Sequence, residues 1–166
     1  MHDHLPANTH HFTRLFAFAR KVFALCVEHE IDFVIYGSLA LFAYTGDEDL
    51  AVRDVDIMVP EKQMGRLHDV MRAHGLSCER VGVEVHVRDG DLLVEVDGWG
   101  LGIDSLRAHV DVSIVDAFAT RLPLVSLDTL ERIYALARDD QSNADLDKIR
   151  ARISLLESFL GRPLKY

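Results

Sequence analysis

The stretch VIYGSLALFAYTGDEDLAVRDVDIMV, Val34–Val59, decides how the chain reads. Ile31–Tyr36 is rich in β-branched and aromatic residues and predicts a short buried strand. Gly37-Ser38 breaks that strand and opens LALFAY, which predicts a short, nearly all-buried helix. After the acidic connection Thr45–Arg53, apolar residues resume at Val55–Val59 as a second strand, entered through Asp54 and carrying Asp56.

Residues two apart share one face of a strand, so Asp54 and Asp56 are expected side by side, with Val55, Ile57 and Val59 in the core. Two carboxylates that close repel each other unless a positive charge lies between them. All-oxygen ligation of Mg²⁺ or Mn²⁺ is the simplest answer. The same pair would also fit the outer face of an edge strand. Gly37-Ser38 tilts the reading, because a strand, a tight turn and a helix start present free backbone N–H groups where a phosphate can dock. Glycine permits close approach of the backbone, and the serine hydroxyl adds a neutral donor.

Outward from this stretch, the chain of 166 residues is long enough for one domain with a real core. Apolar residues recur at helical spacing over Phe12–Val27, preceded by a tail over residues 1–11 that is expected to be mobile. His2, His4, His10 and His11 lie in that tail, where adventitious metal binding is the most they imply. A helix is expected from Pro60-Glu61 to His74-Gly75. Val81–Arg88 and Leu92–Asp97 alternate around the hairpin signal Asp89-Gly90. A loop, GWGLGIDSLRAH, then leads to a strand at Val110–Val115. Ser126 caps a helix, and a last helix runs through Leu146, Ile149, Ile153 and Leu156 to Gly161, making residues 126–160 a C-terminal helical pair. The class is α/β (α+β), a mixed sheet with flanking helices.

The net charge of −9 argues against general DNA binding, which needs a Lys/Arg surface. Apolar runs are too short for a membrane span, and MHDHLPANTHH lacks the pattern of a secretory signal, so the chain is read as cytoplasmic. Cys26 and Cys78 are expected as free thiols.

The combination VIYGSLAL followed by RDVDIMV resembles the nucleotidyltransferase superfamily typified by DNA polymerase β. That family joins an apolar strand, Gly-Gly or Gly-Ser and a short helix to a strand with paired acids, then adds a third carboxylate from a later strand. In LLVEVDGW, Glu95 fits the third carboxylate best, with Asp97 second and Glu84 of GVEVHV third. The later segments Leu124–Leu130 and Asp145–Ile149 are similar to small bacterial nucleotidyltransferase-like (AbiEii-type) proteins. The lysine usual in the helix after that serine is replaced near Ile133 or Tyr134.

The resemblance implies a minimal nucleotidyltransferase fold with C-terminal helices. Asp54, Asp56 and Glu95 would be catalytic and would hold Mg²⁺ or Mn²⁺, while Gly37 and Ser38 would bind the phosphates of a nucleoside triphosphate such as ATP. A hydroxyl on a small molecule, protein or tRNA would attack the α-phosphorus and release pyrophosphate. A core this small implies an acceptor site on the C-terminal helices, or one completed by a protein partner or second copy. The alternative is a nucleotidyltransferase-fold binding module, antitoxin-like or partner-dependent, without turnover. Arg53 is expected on the far side of its strand, and Arg138, Lys148 and Arg150 as solvated helix charges. His86 is expected to be a partly exposed hairpin residue, and Trp99 either a stacking platform or a plug at a strand end.

Overall fold

The apolar periodicity of the N-terminal third becomes helix α1, Thr9–Glu28, whose buried stripe runs from Phe12 to Cys26. The computed structural model describes residues 5–99, 110–140 and 145–166. α1 starts earlier than the sequence predicts, so His10 and His11 lie in its first turn and not in a tail. The reason is Asn8, whose side-chain amide pairs with both the carbonyl and the N–H of Val52 at 2.6 and 3.0 Å. Pro6 is buried beside this anchor.

β1 (Val34–Tyr36) leads directly into α2 (Gly37–Thr45), which Gly46 ends in the left-handed conformation. β2 is Val55–Pro60, a 3₁₀ turn covers Glu61–Gln63, and α3 spans Met64–Ala73. Pro60 therefore closes β2 and does not start the helix. The strand expected over Val81–Arg88 is two strands, β3 (Ser77–Val81) and β4 (Glu84–Asp89), turned at Gly82 with φ +61°. β3 is missed in the sequence because SCERV is an exposed edge strand with no apolar alternation. β5 (Leu92–Trp99) follows the Asp89-Gly90 turn. Of the loop expected over residues 98–109, Gly98 and Trp99 end β5, and residues 100–109 lie outside the described residues. β6 is Val112–Ala117, and a further strand, β7 (Thr120–Val125), precedes α4 (Leu127–Asp139) and α5 (Leu146–Leu160).

The seven strands form one mixed sheet in the order β3-β4-β5-β2-β1-β7-β6. β1 runs antiparallel to β2 and parallel to β7, while β2 and β5 are parallel. Ile35, Val55, Ile57, Val85, Val87, Val94 and Val96 bury one face against α1 and α3. The opposite face of β1, β2, β5 and β4 carries Tyr36, Asp56, Glu95 and His86. α4 and α5 pack on each other and on α2, holding the short helix against the central strands β1 and β2. Buried Glu131 of α4 accepts a bidentate pair from Arg162, which fixes the segment after α5. No helix among the described residues is long and apolar enough to cross a membrane.

The β6–β7 turn holds Phe118 and Ala119 at φ 51° and 55°, where side chains other than glycine are strained. Phe118 is retained there by stacking on Phe42, 5.7 Å between centroids, and by tilted contacts with Phe12 and Phe16. Ala119 has no such compensation. Ala119→Gly is therefore expected to raise stability by about 1 kcal/mol in urea unfolding, with an unchanged slope.

Candidate functional site

The site begins at the junction of β1 and α2. The chain turns from strand to helix with no connecting residue, which requires Gly37 at φ +64°. Asp56 lies opposite Tyr36 in the β1–β2 register, and its carboxyl packs on Gly37. A Cβ on Gly37 would lie 1.9 Å from Asp56 Oδ2. Ser38 is fully buried, and its Oγ makes no hydrogen bond among the described residues. An orphaned hydroxyl at a helix start is an uncompensated cost in the ligand-free fold and a donor ready for an anion.

Asp54 sits in a bend just before β2, where the strand is entered, close enough to repel Asp56. Glu95 of β5 is the register partner of Asp56 across the parallel pair. Although part of Asp56 stays exposed, its carboxyl is stripped of water. That desolvation, followed by repulsion from Asp54 and Glu95, pushes its pKa up to about 8, against the pull of Arg152 and Lys148. The Glu95 carboxyl is raised by burial first and by Asp54 next, with His86 acting in the opposite direction. The three carboxylates share one corner of the sheet but do not close on a single point. No group of three or more His, Cys, Asp or Glu among the described residues is gathered tightly enough to hold a metal ion as it stands. Their all-oxygen donor set and mutual repulsion nonetheless fit a hard divalent cation, which would relieve the repulsion.

The other acidic candidates are engaged elsewhere. Asp97 accepts the Tyr36 hydroxyl at 2.5 Å, and burial together with the neighbouring carboxylates raises that phenol far above its ordinary value. Glu84 accepts from His86 at 2.9 Å. His86 is buried, 8 % exposed, contrary to the expectation of a partly exposed residue. β3 covers its strand on the outer side, and this strand was not foreseen. Trp99 ends β5 opposite Pro60, half-buried against the core. Arg53 is exposed, Arg138 pairs with Asp139, and Arg150 pairs with Asp147. A cavity of about 340 Å³ lies beside the start of α3, lined by Glu61, Met64, Arg80, Val83, Glu84 and Gly98, and none of Gly37, Ser38, Asp54, Asp56 and Glu95 lines it.

Sequence reasoning missed Arg152. It lies on α5, acts on Asp56, and draws down the Tyr134 phenol that burial raises. Tyr134 stands near the place of the family lysine, and its buried hydroxyl makes no hydrogen bond of good geometry among the described residues. Only the packing of α5 beside α2 shows that a cation reaches this corner from the next helix.

The family profile for aminoglycoside-2''-adenylyltransferase matches residues 19–113, more than half of the chain. The chain belongs to that family. The match spans Gly37, Ser38, Asp54, Asp56 and Glu95, and it makes the chain a nucleotidyltransferase. Among solved structures, ANT(2'')-Ia in complex with adenylyl-2''-tobramycin is similar at TM-score 0.69 and 18% identity, covering 90% of each chain. The lincosamide antibiotic adenylyltransferase LnuA, lincomycin-bound, is similar at TM-score 0.60 and 13% identity, over 85% of this chain and 95% of that one. An antigenic nucleotidyltransferase-like protein from Paracoccidioides brasiliensis follows at TM-score 0.58 and 15% identity, over 92% and 78%. At these identities the likeness is one of fold. No curated protein matches the chain by sequence.

Proposed function

We propose that this member of the adenylyltransferase family transfers AMP from ATP to a hydroxyl of a small antibiotic-like acceptor, with Mg²⁺ or Mn²⁺ held by Asp54, Asp56 and Glu95. The observation that supports it most is the packing of Asp56 on Gly37, in register with Glu95 and beside the unpartnered Ser38 hydroxyl. That packing puts an acid corner and a phosphate cradle within one side chain of each other. Two similar structures, one in complex with adenylyl-2''-tobramycin and one lincomycin-bound, suggest the acceptor class.

In this reading the Gly37 turn and the Ser38 hydroxyl donate to the phosphate tail. Arg152 and Lys148 add positive charge on the same side. Glu95, raised by burial, takes the proton of the acceptor hydroxyl as its oxygen attacks the α-phosphorus. The bond from that phosphorus to the bridging oxygen breaks, and pyrophosphate leaves. A divalent cation held by Asp54, Asp56 and Glu95 would supply Lewis-acid stabilisation of charge on the phosphates.

Pyrophosphate release tests this with ATP, Mg²⁺ and a panel of aminoglycosides and lincosamides. Release is expected with at least one acceptor, lowered at least about 100-fold by Glu95→Gln, more than removal of an outer-shell partner costs. Asp97→Asn is expected to keep more than about a tenth of the rate, since Asp97 serves Tyr36. ATP binding without release from any acceptor would favour the binding-module alternative.

A further inference from the structure

His86 lies on β4 directly opposite Glu95, and its other neighbour in register is Glu79 of β3. Glu79, His86, Glu95, Asp56 and Tyr36 thus form one cross-strand row over five adjacent strands. Side chains directly opposite on one face are the ones that touch. The His86 ring nitrogens are distinguished by their partners. Arg88 Nη2 stands 3.3 Å from His86 Nδ1. A guanidinium nitrogen only donates, so Nδ1 is an acceptor and the ring proton of the neutral imidazole sits on Nε2. That Nε2–H points to Glu84 Oε2 at 2.9 Å, with Glu95 Oε1 4.0 Å from the same nitrogen. Arg88 is itself held by Glu79, Nε to Oε1 3.6 Å.

Glu95 needs such a partner. Its side chain is 32% exposed, and the like charges of Asp54 and Glu84 stand near it. A lysine or arginine in place of His86 would hold the carboxylate but neutralise it as a base. An imidazole standing opposite at 4.0 Å sets its place without a hydrogen bond to it.

We infer that His86 is a positioning residue for Glu95: its imidazole, oriented by Arg88 on Nδ1 and by Glu84 on Nε2, stands directly opposite Glu95 with Nε2 4.0 Å from Oε1 and keeps the Glu95 carboxylate in the row beside Asp56. The inference rests on the role proposed above for Glu95. Outer partners that orient a ligating or basic group are worth about 10- to 100-fold when removed.

The test uses the full chain with His86→Ala and His86→Gln, read by AMP-transfer kinetics, Mn²⁺ titration followed by electron paramagnetic resonance, and long-range ¹H–¹⁵N imidazole spectra. Wild type is expected to show the Nε2–H tautomer at neutral pH. His86→Ala should lose about 10- to 100-fold in kcat and weaken Mn²⁺ binding, with the KM for ATP little changed. His86→Gln should recover most of both, because its amide nitrogen donates from nearly the same place. An Nδ1–H tautomer, full kcat in His86→Ala, or a folded His86→Gln as impaired as His86→Ala would overturn the inference alone. A wild-type protein that neither binds Mn²⁺ nor transfers AMP would overturn the proposed function as well, so the two failures are distinct.

Discussion

Asp56→Asn is expected to abolish AMP transfer while making the ligand-free protein more stable. The second half follows from linkage. Asp56 binds its proton more tightly folded than unfolded, with a pKa raised from 3.8 to about 8. Between those values the unfolded chain is ionised and the folded one is not, so the folded state binds more protons and loses stability as pH rises. The contribution is complete below the unfolded pKa and gone above the folded one. Glu95, also raised, adds to the same slope. Asparagine removes the ionisation, and at pH 8 without divalent metal the variant should be more stable by on the order of 3 kcal/mol. For a chain of this size that is a rise in Tm of roughly 6–10 °C. Calorimetric melts from pH 4.5 to 8.5 in chelator check it. Wild-type Tm should fall across that range, and the variant's should fall much less. An Asp56→Asn protein that melts below wild type at pH 8 would mean Asp56 is well solvated or paired. Such a gain with loss of function is the usual mark of a site built for a ligand.

Gly37→Ala should have the opposite effect on stability and the same effect on function. Two costs coincide at this position. Alanine at φ +64° is strained by about 1 kcal/mol, and its Cβ would enter the Asp56 carboxylate, 1.9 Å from Oδ2 and 2.7 Å from Cγ. The carboxylate must swing off the Gly37 turn, so the total is expected on the order of 3 kcal/mol in urea unfolding, with MgATP binding weakened at least about 30-fold. Gly82→Ala is the control, since Gly82 shares the backbone strain at φ +61° but a Cβ there meets nothing within 4 Å. It should cost about 1 kcal/mol and leave nucleotide binding alone. Equal losses in the two variants would mean that the Gly37–Asp56 contact contributes nothing.

The parts of the site legible in the sequence are those whose geometry is local. Gly37-Ser38 between a strand and a buried helix, and Asp54 and Asp56 around Val55, are dictated by a few consecutive dihedrals, and the family match covers them. Glu95, Asp97 and Glu84 could only be ranked, because choosing among them needs the β2–β5 register, a pairing between strands that are far apart in sequence. That register puts Glu95 beside Asp56, while Tyr36 engages Asp97 and His86 engages Glu84. β3 escaped because an exposed edge strand leaves no apolar alternation, and with it went the burial of His86. Arg152 escaped because a helix-surface arginine looks solvated until the packing of α5 against α2 is known.

Asp54 and Asp56 are proposed to hold the metal of a metal–nucleotide complex seated on the Gly37-Ser38 turn. Calorimetric titration with MgATP, wild type against Asp54→Asn/Asp56→Asn, tests it most directly. Saturable, metal-dependent binding is expected in wild type, weakened at least about 30-fold in the folded double variant. Equal affinity in the two proteins would contradict it.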